Sequence, residues 1–311
     1  MASDSKAQEN QPLINGSMKP KVSQPWWCGY WELARMHKFP AGSMLIFWPC
    51  AWGYIMALQD ICPEPLQLAY IMAVFSAGST LLHCTACTIN DICNRDLDAQ
   101  VECCKNRPLV AGTISMFGAW VFLFLQVTVF FWGLSFVPRN VLICSAFGVF
   151  PLHAFYPLMK HVTNWPQAWL SLAMNWGLPT TWLIAAPNDY QYLPMWALTF
   201  RTLCWTIVYD TIYMCPDCKD NSTAILFGDY VKPILLAFMV IFIASLIYSG
   251  HATGQGWVYY TVSVGGCTVH LVWQLVTLDM EDLQDCWNKF DSNGQLGYIL
   301  IAGQLGGWYI H

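Results

Sequence analysis

Residues 68–98 read LAYIMAVFSAGSTLLHCTACTINDICNRDLD, and this stretch decides the fold. Its first part, Leu68 to Ile89, is an almost unbroken apolar run of the ~20 residues that a helix needs to cross a bilayer. Its end, Asn90-Asp91-Ile92-Cys93-Asn94-Arg95-Asp96-Leu97-Asp98, puts several carboxylates at the mouth of that run. On a helix, Asp91, Asn94 and Asp98 fall at i, i+3 and i+7 and share one face, while Asp96 turns away. Acidic side chains at the end of a membrane-buried helix are costly unless a cation or a function holds them there. A second stretch repeats the pattern: Asp210, Tyr213 and Asp217 have the same spacing, and Asp220 extends it. Two oxygen-rich faces at two helix ends point to hard divalent cations. Mg²⁺ in particular is held by a few carboxylates together with the phosphates of a substrate. The candidate metal ligands are Asp91, Asn94, Asp98, Asp210, Asp217 and Asp220.

Outward from these motifs the chain stays apolar. Of its 311 residues, 56% are hydrophobic and 11% are charged, against about 25% charged in soluble domains. This deficit predicts an all-α, polytopic membrane protein with the lipid bilayer as its surroundings. The net charge of −5 argues against a nucleic-acid partner, which favours a basic face. The 14 cysteines are scattered and read as buried thiols that behave as small hydrophobes.

Residues 1–25 are polar and read as a disordered tail ahead of one membrane domain over 26–311. The tail has neither an apolar signal-peptide core nor the Arg-rich character of a transit peptide, so the endoplasmic reticulum membrane is the expected location. Trp26, Trp27, Tyr30, Trp31, Arg35, His37 and Lys38 then suit an interfacial approach to the membrane. Spanning helices are expected at 42–60, 69–92, 113–134, 139–158, 167–186, 193–214, 230–249, 257–278 and 294–310. In that arrangement both acidic motifs lie on one face. Of the 14 Lys and Arg, all but Arg139 and Arg201 lie there too, which makes that face cytosolic. The two motifs end the second and sixth helices, which hints at a repeated four-helix unit followed by a ninth helix.

Asn90-Asp91-x-x-Asn94-Arg95-Asp96-x-Asp98 followed by Lys105-Asn106-Arg107-Pro108-Leu109 resembles the first aspartate-rich motif of the UbiA family of intramembrane aromatic prenyltransferases. The stretch from Tyr209-Asp210-Thr211-Ile212-Tyr213 to Asp217-x-Lys219-Asp220 looks like the second. The segments Leu33-Ala34-Arg35-x-His37-Lys38, Tyr156-Pro157 through Lys160, and Asp285-Cys286-Trp287-x-Lys289-Phe290 are similar to three further regions of the family. The resemblance covers about residues 28–311. One departure is Asn94, where the family usually has Asp.

The resemblance implies a helical bundle with a central cavity. It also implies Mg²⁺ at the two acidic motifs, a prenyl diphosphate as donor and an aromatic acceptor joined to it through a C–C bond. On this reading Asp91, Asp98, Asp210 and Asp217 are the catalytic carboxylates. Arg107, Lys160 and Lys219 contact the diphosphate, with Arg35, Asn90 and Tyr213 as further substrate contacts. The chemistry explains these residue types, since a departing diphosphate needs cationic stabilisation and an apolar interior keeps water from the allylic cation. The expected donor is farnesyl diphosphate, used on a phenolic acceptor in meroterpenoid biosynthesis. The alternative is long-chain prenylation of 4-hydroxybenzoate.

Blander readings stand beside these. The acidic motifs could be solvated loops, and Arg107 and Lys160 could contact lipid headgroups. An ion-coupled transporter would also carry intramembrane carboxylates. Arg201 either snorkels to the far interface or faces the cavity near an acceptor's carboxylate. Cys84-x-x-Cys87 and Cys215-x-x-Cys218 have zinc-ligand spacing, but the first lies within a helix and the second among the Mg²⁺ candidates. Asn221-Ser222-Thr223 has the glycosylation pattern, on the face expected to be cytosolic.

Overall fold

A computed structural model describes residues 25–58, 61–101, 104–163, 165–186, 192–214 and 223–309. Among them every regular element is helical. The organising element is α2 (Ser43–Leu58), which follows a short interfacial helix, α1 (Trp27–Leu33). α2 is apolar on all sides, and every residue in it but Met44 is buried. An all-round hydrophobic helix belongs in the interior. Around it pack α3 (Pro65–Cys93), α8 (Pro166–Asn175), α9 (Gly177–Ala185), α10 (Tyr192–Met214) and α14 (Leu283–Tyr309).

The remaining helices form the outer ring: α4 (Arg95–Asp98), α5 (Met116–Leu134), α6 (Arg139–Phe147), α7 (Ala154–Val162), α11 (Thr223–Phe227), α12 (Val231–Ala252) and α13 (Gly266–Thr277). Their large apolar side chains point outward; Phe117, Phe124, Trp132, Val240 and Val269 are all exposed. In water such a surface would be unfavourable, whereas lipid accepts it.

A chain of tryptophans ties α2 to the elements beneath the motifs. Trp48 stacks on Trp52, Trp52 meets Trp205 of α10 at 5.1 Å, and Trp205 meets Tyr209 at 4.9 Å. Two of the three indole N–H groups find acceptors on α14: Trp52 donates to the Gly297 carbonyl, and Trp205 donates to Asn293 Oδ1 at 2.8 Å, while that of Trp48 is buried without a partner. Gly297 is required for this contact, because a Cβ there would overlap the Trp48 ring.

Helix lies within each of the nine expected stretches, but not as nine uninterrupted spans. By length and hydropathy, four helical segments of the described residues suffice to cross a membrane: Pro65–Cys93, Met116–Leu134, Arg139–Met159 and Thr223–Ala252. The others fall short for identifiable reasons. α2 is apolar but has 16 residues. The stretch 167–186 is split at Trp176 into α8 and α9. α10 carries a buried arginine and several threonines, which lower its hydropathy. The stretch 257–278 opens with a wide π turn at Tyr259–Gly265. α14 begins at Leu283 instead of 294, because its polar first turns bury Cys286, Lys289, Ser292 and Asn293 against the bundle.

Candidate active site

The first acidic motif is built at the end of α3. The helix yields at Asn94 (φ −100°, ψ 7°) and resumes as the single turn α4, with the Asp98 N–H donating to the Asn94 carbonyl at 2.8 Å. The bend is slight enough to keep one face. Asp91, Asn94 and Asp98 are buried, while Arg95, Asp96 and Leu97 are exposed. The expected register therefore holds.

Two arginines reach this face from other elements. Arg35 Nη2 donates to Asp91 Oδ1 at 2.8 Å. Arg107 Nη1 lies 3.3 Å from the same oxygen and 2.5 Å from Asp98 Oδ2. Arg35 is the one non-glycine residue with positive φ (56°) among those described, a conformation that an L-residue adopts at a cost and that recurs at functional sites. Arg107 is held from beneath. Leu109 and Ile114 of its loop are buried with Leu33, Ile92, Ala119 and Leu123. Burial lowers the Arg107 pKa, but Asp91 and Asp98 outweigh it and leave it above the ordinary value.

Two buried oxygens of the motif have no partner. Asp91 Oδ2 is one. The other is Asn94 Oδ1, because the Asn94 amide donates to Asn90 Oδ1 at 3.1 Å and leaves its own oxygen unused. Orphaned buried oxygens are rare in native structures and call for an explanation such as an ion. Hard oxygen donors three residues apart fit Mg²⁺. Among the described residues no cluster of three or more Asp, Glu, His or Cys completes a metal site. Asp217 and Asp220 lie outside the described residues.

The second motif ends α10. Its position is fixed by Thr211, whose hydroxyl bonds that of Thr223 at 2.6 Å, and by Asn175 of α8, which donates to Thr206 at 2.7 Å. Asp210 and Tyr213 face a cavity of about 250 Å³. Arg35, Lys38, Asn90 and Arg107 line the same cavity from the side of the first motif. Asp91, Asn94 and Asp98 stand behind this lining; the arginines tie Asp91 and Asp98 to it, and Asn94 is tied to it through Asn90. Arg107 thus does two things: it lines the cavity and pairs with the carboxylates.

A second, larger cavity of about 370 Å³ adjoins the first. Phe75, Leu82, Val141, Val149 and Trp176 give it an apolar wall, and His153 and Ala173 line both cavities.

Several expected residues fall elsewhere or outside. Lys160 stands in α7 with its side chain outside the described residues; Lys219, Cys215, Cys218 and Asn221 also lie outside them. Arg201 reaches neither the far interface nor a described cavity. It is fully buried, with its guanidinium 5.8 Å from the Phe242 ring centroid. The outward positions of α10 near it are taken by other residues, so its inward register decides its place. Cys84 donates to Met36 Sδ and Cys87 lies 3.6 Å from His83 Nε2, so both thiols make local contacts.

The lining also contains His83 and His153, which sequence reasoning did not select, and Tyr156, Tyr209, Trp287 and Phe290, which lay in the quoted motifs but were not named as site residues. Lys38, one of the juxtamembrane cations, is placed under the Trp287 ring at 5.1 Å. Lys38 is exposed overall, but partial desolvation beside the cavity lowers its pKa, and the nearby charges of Arg35 and Arg107 lower it further. Three cations crowd one end of the cavity, and that arrangement favours a polyanion.

The fold and cavity define a class: a helical membrane protein with cations and carboxylates at one end of a cavity and an apolar chamber beside it. The model of the UbiA prenyltransferase family matches residues 46–299. The chain is 40% identical over 290 residues to the UbiA prenyltransferase claS of Ampulloclitocybe clavipes, covering 91% of this chain and 90% of that one. It is 38% identical over 285 residues to the mitochondrial 4-hydroxybenzoate polyprenyltransferase of Aedes aegypti, covering 88% of this chain and 62% of that one. A solved structure of a UbiA homolog from Archaeoglobus fulgidus bound to GPP and Mg²⁺ has the same fold, with a TM-score of 0.64 at 14% identity over 91% of this chain and 100% of that one. This chain belongs to the UbiA prenyltransferase family, and that membership displaces the transporter reading.

Proposed function

We propose that this chain, as one membrane domain over 26–311, joins a prenyl diphosphate to a phenolic acceptor by C–C bond formation with release of diphosphate. The observation that carries this reading is the paired cavity, cationic and carboxylate-backed at one end and apolar at the other. A prenyl diphosphate has the same polarity along its length. Arg35, Lys38 and Arg107 would receive the diphosphate, joined by Lys160 and Lys219. Asn90 and Tyr213 add polar contacts. Asp91, Asn94, Asp98, Asp210, Asp217 and Asp220 would hold Mg²⁺, which when bound neutralises charge developing on the leaving diphosphate. The orphaned oxygens of Asp91 and Asn94 support that assignment.

For the donor we propose a medium-length chain, farnesyl, used in meroterpenoid biosynthesis. The apolar cavity, lined by Phe75, Leu82, Val141 and Trp176, offers such a chain an apolar site. The relative from Aedes aegypti favours a second reading, long-chain prenylation of 4-hydroxybenzoate. The basic-residue bias supports a cytosolic face for the motifs. An endoplasmic reticulum location gains no support, because a mitochondrial protein is among the relatives.

The test is incubation of membranes carrying the protein with geranyl, farnesyl and longer prenyl diphosphates, each with 4-hydroxybenzoate or another phenolic acid. Product masses then identify donor and acceptor. A prenylated phenol that requires Mg²⁺ and appears with equimolar diphosphate is the expected result. Absence of any prenylated product across the panel would refute the reading.

A further inference from the structure

His153 stands where the two cavities meet. It comes from the irregular turn Gly148–His153 between α6 and α7, in which Phe150 leaves helical geometry (φ −132°, ψ 112°). The side chain is buried, 6% exposed, and with Ala173 of α8 it belongs to the lining of both cavities. Its two ring nitrogens differ. Nδ1 lies 2.8 Å from the Gly148 carbonyl oxygen, which can only accept, so Nδ1 carries the hydrogen. Nε2 is then a bare lone pair in the neutral ring, and it has no partner. A buried imidazole whose orientation and tautomer are set by a backbone carbonyl, with its other nitrogen unused, has the arrangement of a general base.

The chemistry places the need for a base at this point. With the diphosphate among Arg35, Lys38 and Arg107 and the chain in the apolar cavity, C1 of the donor lies at the junction. The acceptor carbon that bonds to C1 is at the junction as well, and the proton to be lost sits on that same carbon. We infer that His153 Nε2 takes this proton, an inference that rests on the prenyl-transfer reading above. The C1–O bond breaks and its electron pair leaves with the diphosphate. Ring π electrons form the new C–C bond to C1. The C–H electron pair then restores aromaticity, and the proton passes to Nε2. The imidazolium keeps its Nδ1–H bond to Gly148 and gives its extra proton to the departing diphosphate. The other titratable side chains that line the first cavity, Arg35, Lys38, His83, Cys87, Arg107, Tyr156, Tyr209, Asp210 and Tyr213, are not shared with the apolar cavity.

The test uses full-length protein in membranes with geranyl diphosphate and 4-hydroxybenzoate, either unlabelled or deuterated on the ring. In the wild type, fast proton loss leaves turnover insensitive to ring deuteration. His153→Gln puts an amide oxygen near the Nε2 position, which accepts a hydrogen bond but not a proton. His153→Asn keeps a donor near the Gly148 carbonyl and removes the acceptor. Both should lower kcat about 100-fold, the scale of a lost general base, with little change in KM for geranyl diphosphate. Both should also acquire a primary isotope effect with the deuterated ring. That ratio does not depend on how much of a variant is folded.

Variants that turn over within about threefold of wild type, or that slow without an isotope effect, would overturn the inference. So would variants that consume no geranyl diphosphate at all, since His153 would then serve folding or ionisation. A wild type that forms no prenylated product from this pair or from any donor and acceptor of the panel above would instead bring down the prenyl-transfer reading, and the inference with it.

Discussion

Asn94 is the residue on which the first motif turns. It is neutral, yet it is buried with Asp91 and Asp98 on one face and offers an unpartnered oxygen. Hard cations favour charged oxygen ligands, so Asn94→Asp should lower the Mg²⁺ concentration for half-maximal rate. Asp91→Asn should cut kcat about 10²–10³-fold, the scale of one lost electrostatic contact in a transition state. Asp96→Asn should stay within about twofold, as for an ordinary exposed substitution. A Mg²⁺ titration of the three variants at fixed prenyl diphosphate checks all of this, and equal damage from Asp96→Asn and Asp91→Asn would show the register to be wrong.

Lys38 gives a pH dependence. Partial desolvation of this exposed side chain, with help from Arg35 and Arg107, lowers its pKa from 10.5. Between the lowered pKa and 10.5 the unfolded chain binds more protons, so the free protein gains stability as pH rises. Diphosphate affinity moves the opposite way, because neutral Lys38 no longer attracts it. KM for the donor should therefore rise with pH before the ordinary lysine range, and Lys38→Arg should flatten that rise. At this scale the spacing of Asp91, Asn94 and Asp98 was legible, since helical periodicity alone sets it. The reach of Arg35 to Asp91 was not, because it depends on a left-handed backbone at Arg35 and on the docking of α1 beneath α3.

Among the elements, α2 and α14 carry the site. α14 supplies Trp287 and Phe290 to the cavity and Asn293 and Gly297 to the tryptophan chain. Gly297→Leu should overpack Trp48, costing about 1–3 kcal/mol, which thermal unfolding in detergent would detect as a lowered midpoint. An unchanged midpoint would mean that the α2–α14 contact is looser than described. Helix positions were legible from apolar runs. The breaks at Gly148–His153, Trp176 and Tyr259–Gly265 were not, because they depend on how neighbouring helices pack. The early start of α14 was obscured by its polarity. Residues 283–293 read as a loop in a chain otherwise so apolar, yet they form an amphipathic face packed on α10 and α13.

At the scale of the whole molecule, the ends of α3 and α10 and three cations converge on one cavity that opens beside an apolar one, with the first motif's carboxylates behind its lining. The bias of basic residues predicts that this end faces the cytosol. Asn221 should therefore remain unglycosylated when the protein is expressed in a eukaryotic membrane, and a glycan-dependent gel shift abolished by Asn221→Gln would reverse the orientation. The most direct measurement for the prenyl-transfer assignment is paired product and diphosphate quantification in membranes carrying the wild type or Asp210→Asn, with Mg²⁺ or with a chelator. The expected result is one C-prenylated phenol per diphosphate released by the wild type with Mg²⁺, and a near-complete loss of both with the chelator or in Asp210→Asn. Undiminished prenylation in Asp210→Asn, or none in the wild type with Mg²⁺, would contradict it.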